Sequence, residues 1–373
     1  MPPSPGRHGP ERHRDEAVSV RLKTSLRISC VPWAAPVAVA LSLFYFFYAT
    51  GIAGDRLYGY APSLVSAALE VLYAFAYGLA AGLAVWESGR MRAAGVWAMA
   101  PVRSRYRVAW NGIAPAVYCA WLLLVLPVTV ALVGARTLPT LPGLAPLLLA
   151  MVLCVAHGAI GFAVGLFVPR LVAAPVMATA VWLLVAFTVA SDAFWKRHVS
   201  GQYPTAFEFG EAAAYGSYLP HLLFTGGIAA GVALLWIPLR PRAVRAALAL
   251  AVMAVLPFIA YQKVKTWGPN PPLLSQQAPL ECMGEAPEVC VPETGPTPAR
   301  EVWKETVQVL GELRCAGGPA RPGRIVDRMT DGRAAPPSTR DVWRLHLTYA
   351  VGKGELRQRL TEEAAAHGCR RTS

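Results

Sequence analysis

Long apolar blocks separated by short polar ones dominate the chain. Seven such blocks, residues 28–50, 63–86, 109–133, 144–168, 171–190, 219–239 and 244–261, each approach the ~20 residues a helix needs to cross about 30 Å of hydrocarbon. Apolarity sustained over that length, with no alternation, predicts helices hydrophobic all round rather than half-buried strands. Little more than Pro169-Arg170 separates the fourth and fifth blocks, which requires a tight helical hairpin. One longer fused segment is the competing expectation. Ahead of the first block, residues 1–16 mix Pro, Gly, His and Arg without periodicity, a composition that cannot offset its ordering entropy. Residues 17–27 set Val18, Leu22 and Leu26 at helical spacing, with Arg21, Lys23 and Arg27 on other sides. That is the pattern of an amphipathic helix along the membrane surface, or of a basic flank that orients the first span. The first block is too long for a signal peptide and lacks a small-residue cleavage site, so it reads as an uncleaved anchor.

After the last block the pattern changes. A Pro-rich linker and Cys-bearing loop over 263–298 lead into a small domain over 299–373. Thr297-Pro298 reads as a helix start, with the hydroxyl as N-cap and Pro at the first helical position. The helix after it would place Val302, Trp303, Thr306, Leu310 and Leu313 near one face and end at Gly317-Gly318. Residues 338–351 and 355–367 read as two more helices. The expected fold is therefore an all-α polytopic membrane protein. It comprises a tail and interfacial helix (1–27), a bundle of about seven transmembrane helices (28–262), and a small, mainly helical, disulfide-containing extracytoplasmic domain.

Composition supports the membrane reading, since 55% of residues are hydrophobic, 15% are charged and mean hydropathy is +0.40. The net charge of +13 raises nucleic acid as a partner. Its placement argues otherwise, because the basic residues gather at the ends of apolar blocks, with no basic face carrying interleaved aromatics. Residues 86–107 carry Arg90, Arg92, Arg103, Arg105 and Arg107 against Glu87 alone. With the N-terminus inside, this loop, Arg170, and Arg240, Arg242 and Arg245 all fall on the cytoplasmic side. The outer loops then hold only Arg56, Arg136, Lys196 and Arg197. The expected topology is a multi-pass protein of the cell membrane with a cytoplasmic N-terminus and an extracytoplasmic C-terminal domain.

Cysteine placement points the same way. Cys30, Cys119 and Cys154 fall within or beside apolar blocks, whereas Cys282, Cys290, Cys315 and Cys369 all follow the last one. An even number there suits a disulfide-bearing domain in an oxidising compartment. Of the three pairings, Cys282 with Cys290 closes a short Pro-containing loop and Cys315 with Cys369 would join two helix ends, so these are favoured. Zinc is the rival, against which the spacing lacks a CxxC pair.

Catalytic motifs are missing from the sequence. It has no GxxxxGK[ST], no HExxH and no GxSG within a block, so no catalytic residue, metal or cofactor is assigned. Ionisable residues inside spans are functional candidates by default, and these are Glu70 and His157. Gly78-Gly82, Gly161-Gly165 and Gly227-Gly231 have GxxxG spacing, which favours close helix packing over a dimer seam here. Pro36, Pro115, Pro127 and Pro175 could kink their helices. The loop over 191–219, with Phe207, Phe209 and Tyr215 among Glu208 and Glu211, is expected to lie on or dip into the outer leaflet.

The layout resembles type-two ABC exporter permeases, whose transmembrane subunits have a leading amphipathic helix, a cytoplasmic coupling helix between spans two and three, and re-entrant outer helices between spans five and six. Residues 17–27, 86–107 and 191–219 stand in those places. Glu87, Arg90, Pro101, Arg103 and Arg105 look like the ExxR…PxRxR coupling loops of actinobacterial permease-like proteins. The resemblance covers about residues 17–240 and departs in the seventh block and the tail with ECMGEAPEVC. It implies a non-catalytic transmembrane subunit of an ABC-type exporter that works with a separate ATPase chain, as a homodimer in the bilayer. Glu87, Arg90, Arg92, Arg103 and Arg105 would form the ATPase-coupling loop. The alternative is a membrane-anchored sensor or assembly protein that displays the outer domain.

Overall fold

The computed structural model describes residues 28–53, 59–96, 104–202, 207–237, 241–295, 297–315, 318–319, 322–334, 336–347, 351 and 354–371. The basic helix expected over 17–27 and Arg103 of the coupling loop lie outside these residues. The helices of the bundle are α1 (Val31–Ala53), α2 (Ala61–Leu69), α3 (Leu72–Ala93), α4 (Arg105–Gly134), α5 (Leu141–Gly165), α6 (Arg170–Ala186), α7 (Tyr215–Leu234, entered through a 3-10 turn and widened by a π-turn at Leu222–Gly226) and α8 (Arg242–Val264).

Five of these helices, α1, α4, α5, α7 and α8, are long and apolar enough to cross a membrane, and the bent pair α2–α3 makes a sixth if it is counted as one span. The expectation of seven is thus met for five or six by length. The block at 171–190 forms only the 17-residue α6, about 26 Å at 1.5 Å per residue. The break at Pro169-Arg170 is real, because α5 ends at Gly165 and α6 starts at Arg170. The prolines at 36, 115, 127 and 175 sit within continuous helices. A 53° bend falls instead between α2 and α3, where no proline stands.

The outer helices α1 and α8 turn small residues inward and large apolar ones outward. On α1, Ala34 and Ala38 are buried while Trp33, Phe44 and Phe47 are exposed; on α8, Ala249 and Ala260 are buried while Leu250 and Phe258 are exposed. Small residues inside and large apolar ones outside are what helix packing in hydrocarbon favours, since lipid tails give no hydrophobic drive for association.

Glycines set the packing. A Cβ at Gly78 would lie 2.7 Å from the Ala178 carbonyl oxygen, and one at Gly82 2.8 Å from Ala178 Cβ, so α3 and α6 meet backbone to backbone. Gly161 and Gly165 press onto Ala81 and Val85 of α3, and Gly227 and Gly231 onto Leu256 and Ala249 of α8. All three GxxxG pairs are therefore used within the chain. These contacts make α3 parallel to α5 and antiparallel to α6, with α3 as the pillar around which the others stand.

The tail corrects the expectation of a mainly helical domain. A four-stranded mixed sheet, ordered β3 (Leu280–Met283), β4 (Glu288–Pro292), β7 (Arg324–Asp327), β8 (Val342–Leu345), is covered by helix α9 (Ala299–Gly311), and α10 (Leu356–Ala366) packs on α9. A second sheet joins β6 (Gly318–Pro319), β5 (Leu313–Cys315) and β9 (Cys369–Arg371). Where a helix was expected over 338–351, β8 alternates half-buried and buried residues and pairs in parallel with β7. Val302, Val309 and Leu310 of α9 share a core with Val291, Ile325 and Trp343, and Thr306 on the same helix is buried.

Candidate functional site

The arginine-rich end of the bundle is built on the last turns of α3. Glu87 is buried, and its Oε1 accepts from the Cys30 backbone N–H at 2.7 Å and from Arg90 Nη1 at 3.3 Å. The Cys30 bond therefore fastens the start of α1 to the end of α3, and Arg90 pairs with the same carboxylate at 3.2 Å. The acid is a structural anchor and not an exposed contact. Trp86 carries the Arg170 guanidinium 4.8 Å above its ring, which closes α6 onto the same corner. Arg92 and Arg105 are exposed beside it. Tyr106 donates to the Ala233 carbonyl at 2.9 Å, and Arg245 to Ile237 at 3.0 Å, so the α7–α8 turn lies at this end too.

The two intramembrane candidates separate. Glu70 is exposed at the α2–α3 bend, at the far end of the bundle from the arginines. His157 is buried in α5, where its Nδ1 donates to the Leu153 carbonyl at 2.9 Å and its ring stacks on Tyr77 with centroids 4.7 Å apart. Tyr77 donates to the Gly201 carbonyl at 2.5 Å, and Gly201 N–H donates to His221 Nδ1 at 2.9 Å. Gly201 has φ +91°, and a Cβ there would meet Leu153 Cδ1 at 2.7 Å, so the loop reaches down between the helices where only glycine fits. Tyr77, Gly201 and His221 escape sequence reading, because nothing in their spacing links residues so far apart in the chain.

In the loop over 191–219 the aromatic residues divide, with Tyr215 exposed and others turned inward. Phe207, Phe209 and Glu211 are buried between bundle and tail. Ser66 Oγ accepts from the Phe207 N–H at 2.8 Å, and Ser63 Oγ donates to the Glu208 carbonyl at 2.9 Å. On the other side β1 (Ala212–Ala213) pairs with β2 (Leu273–Leu274), and Gln277 N–H donates to the Gly210 carbonyl at 2.9 Å. Glu211 accepts from Glu208 N–H at 2.9 Å and Arg333 N–H at 2.7 Å, with the Arg333 guanidinium 3.7 Å away. His198, fully buried, bonds through Nε2 to the Gly268 carbonyl at 2.8 Å. Burial lowers its pKa and the Arg197 charge adds to this, while the Gly268 bond opposes. The aromatic, acidic section is thus the floor on which the tail is bolted.

Cys282 and Cys290 form a disulfide across β3 and β4. Cys369 is also disulfide-bonded, and Cys315 stands opposite it in the β5–β9 register. Cys30, Cys119 and Cys154 are free and buried. Cys282, Glu288 and Cys290 hold metal-ligand atoms within 4.8 Å of one another, but the two sulfurs are joined to each other. Between α1, α3, α4 and α6 lies an open apolar groove of about 270 Å³, lined by Leu41, Phe75, Leu123 and Trp182. No family model, curated protein or solved structure matches the chain.

Proposed function

We propose that the chain is a non-catalytic, permease-like transmembrane subunit of an ABC-type exporter, working with a separate ATPase chain. The observation that carries this reading is α3. One helix holds Tyr77, which grips the loop under the tail, and Glu87, Arg90 and Arg92, which face the opposite end. A push on the arginine end therefore reaches the tail through a pillar packed backbone to backbone.

Topology belongs to the same proposal. Residues 30, 86–92, 106, 170, 233–237 and 241–245 share one end, and residues 59–63, 137, 197–202, 207–214 and 268–277 share the other. If α2–α3 and α6 each count as one crossing, seven crossings carry the tail away from the arginines, which puts the N-terminus in the cytoplasm and the tail outside. Cys315–Cys369 is the second disulfide of that outer domain.

The test is association. Wild-type protein in mild detergent should co-purify with ATPase activity, and Arg92→Glu with Arg105→Glu should release it without altering the protein's size profile. Absence of an ATPase, or its retention by the double variant, would contradict the reading. The seam at Glu211 and Arg333 favours a second reading, a membrane-anchored sensor or assembly protein. In that case loosening the seam abolishes partner binding and the arginine substitutions do not.

A further inference from the structure

The β3–β4 hairpin holds chemistry that neither reading of the bundle uses. β3 is the edge strand of its sheet, and Cys282 on it is exposed, whereas Cys290 on β4 is fully buried. Arg324, from β7, lies over the bridge: Nη2 is 3.2 Å and Nε 3.4 Å from Cys290 Sγ, and Nη2 is 3.7 Å from Cys282 Sγ. Glu288 stands opposite Arg324 in the β4–β7 register and competes for the same guanidinium, its carboxylate 3.0 Å from Nε.

An attacking thiolate takes the sulfur it can reach, and the bond breaks faster when the departing sulfur is stabilised as a thiolate. A neighbouring arginine provides that stabilisation. Here the reachable sulfur is Cys282, and the sulfur closest to the cation is Cys290. We propose that Cys282–Cys290 is a thiol–disulfide exchange site that accepts two electrons from a dithiol, with Arg324 holding Cys290 as it leaves. One thiolate of the dithiol bonds to Cys282 Sγ while the Cys282–Cys290 bond breaks and its electron pair departs on Cys290. The second thiolate then attacks the dithiol's own sulfur in the mixed disulfide and frees Cys282. The dithiol ends as a disulfide, and both cysteines end as thiols carrying the two protons it gave up.

The test uses the full chain in detergent micelles with dithiothreitol as the dithiol. Differential alkylation and peptide mass spectrometry would follow this bridge separately from the other cysteines. Arg324→Gln should slow reduction about tenfold and shift the bridge about 30 mV more negative, the equivalent of a tenfold change in a two-electron equilibrium. Arg324→Lys should recover part of the rate. Glu288→Gln breaks the same ion pair yet leaves the guanidinium to the sulfurs, so it should reduce faster than wild type. Three results would overturn the proposal: the two Gln variants moving together, neither changing the rate by about twofold, or the bridge resisting millimolar dithiothreitol until the chain unfolds.

Discussion

Glu211 shows how a residue that looks like surface charge becomes a fastener. Its carboxylate is 2% exposed and caps backbone N–H groups from its own loop and from the tail. Glu211→Gln weakens both caps and the ion pair, and should cost about 1–3 kcal/mol of docking. Limited proteolysis should then release the tail faster than in wild type, and an unchanged rate would count against the seam. His198 allows a pH test. Among the described residues its buried Nδ1 has no hydrogen-bond partner, so a proton there meets no acceptor among them. Because its folded pKa is below the ordinary ~6.5, the opened chain binds the proton more readily. Stability is therefore complete above that value and is lost as pH falls below it. Amide protection factors over 264–274 should drop between about pH 7 and about pH 5, and His198→Gln should flatten the drop. The sequence named Glu211 as an acidic loop residue. It could not reveal the role, which needs Arg333 more than a hundred residues away.

At the scale of elements, legibility follows the length of the pattern. Apolar blocks of twenty or so residues specify helices by themselves, which is why α1, α4, α5 and α8 and the break at Pro169 were all readable. β8 was not, since VWRL spans a single helical turn and its strand state is decided by parallel pairing with β7. The α2–α3 bend was hidden for a related reason, because apolarity continues through it and no proline marks it. Glycine spacing was informative beyond its usual ambiguity. Gly161→Val should overpack the α3–α5 contact and destabilise the bundle by about 1–3 kcal/mol. Gly216→Ala, with nothing within 4 Å of its Cβ, should stay within about 0.5 kcal/mol of wild type. Thermal unfolding in detergent compares them, and equal midpoints would contradict the packing described for α3.

For the whole molecule, arginines at one end of the bundle and a disulfide-bearing tail at the other form a single arrangement. The charge bias of the loops was legible in the sequence, and so was the grouping of four cysteines after the last block. The union of tail and loops was not, since it depends on close contacts such as Gly210 with Thr330 that no periodicity encodes. Both functional readings require that the two ends face different compartments. The most direct measurement is the activity, in intact cells, of a C-terminal fusion to an enzyme that folds only where disulfides form. Activity after Ser373, with none when the same enzyme is fused in the turn before Arg170, is the expected result. Activity at Arg170, or silence after Ser373, would place the tail with the arginines and contradict the arrangement.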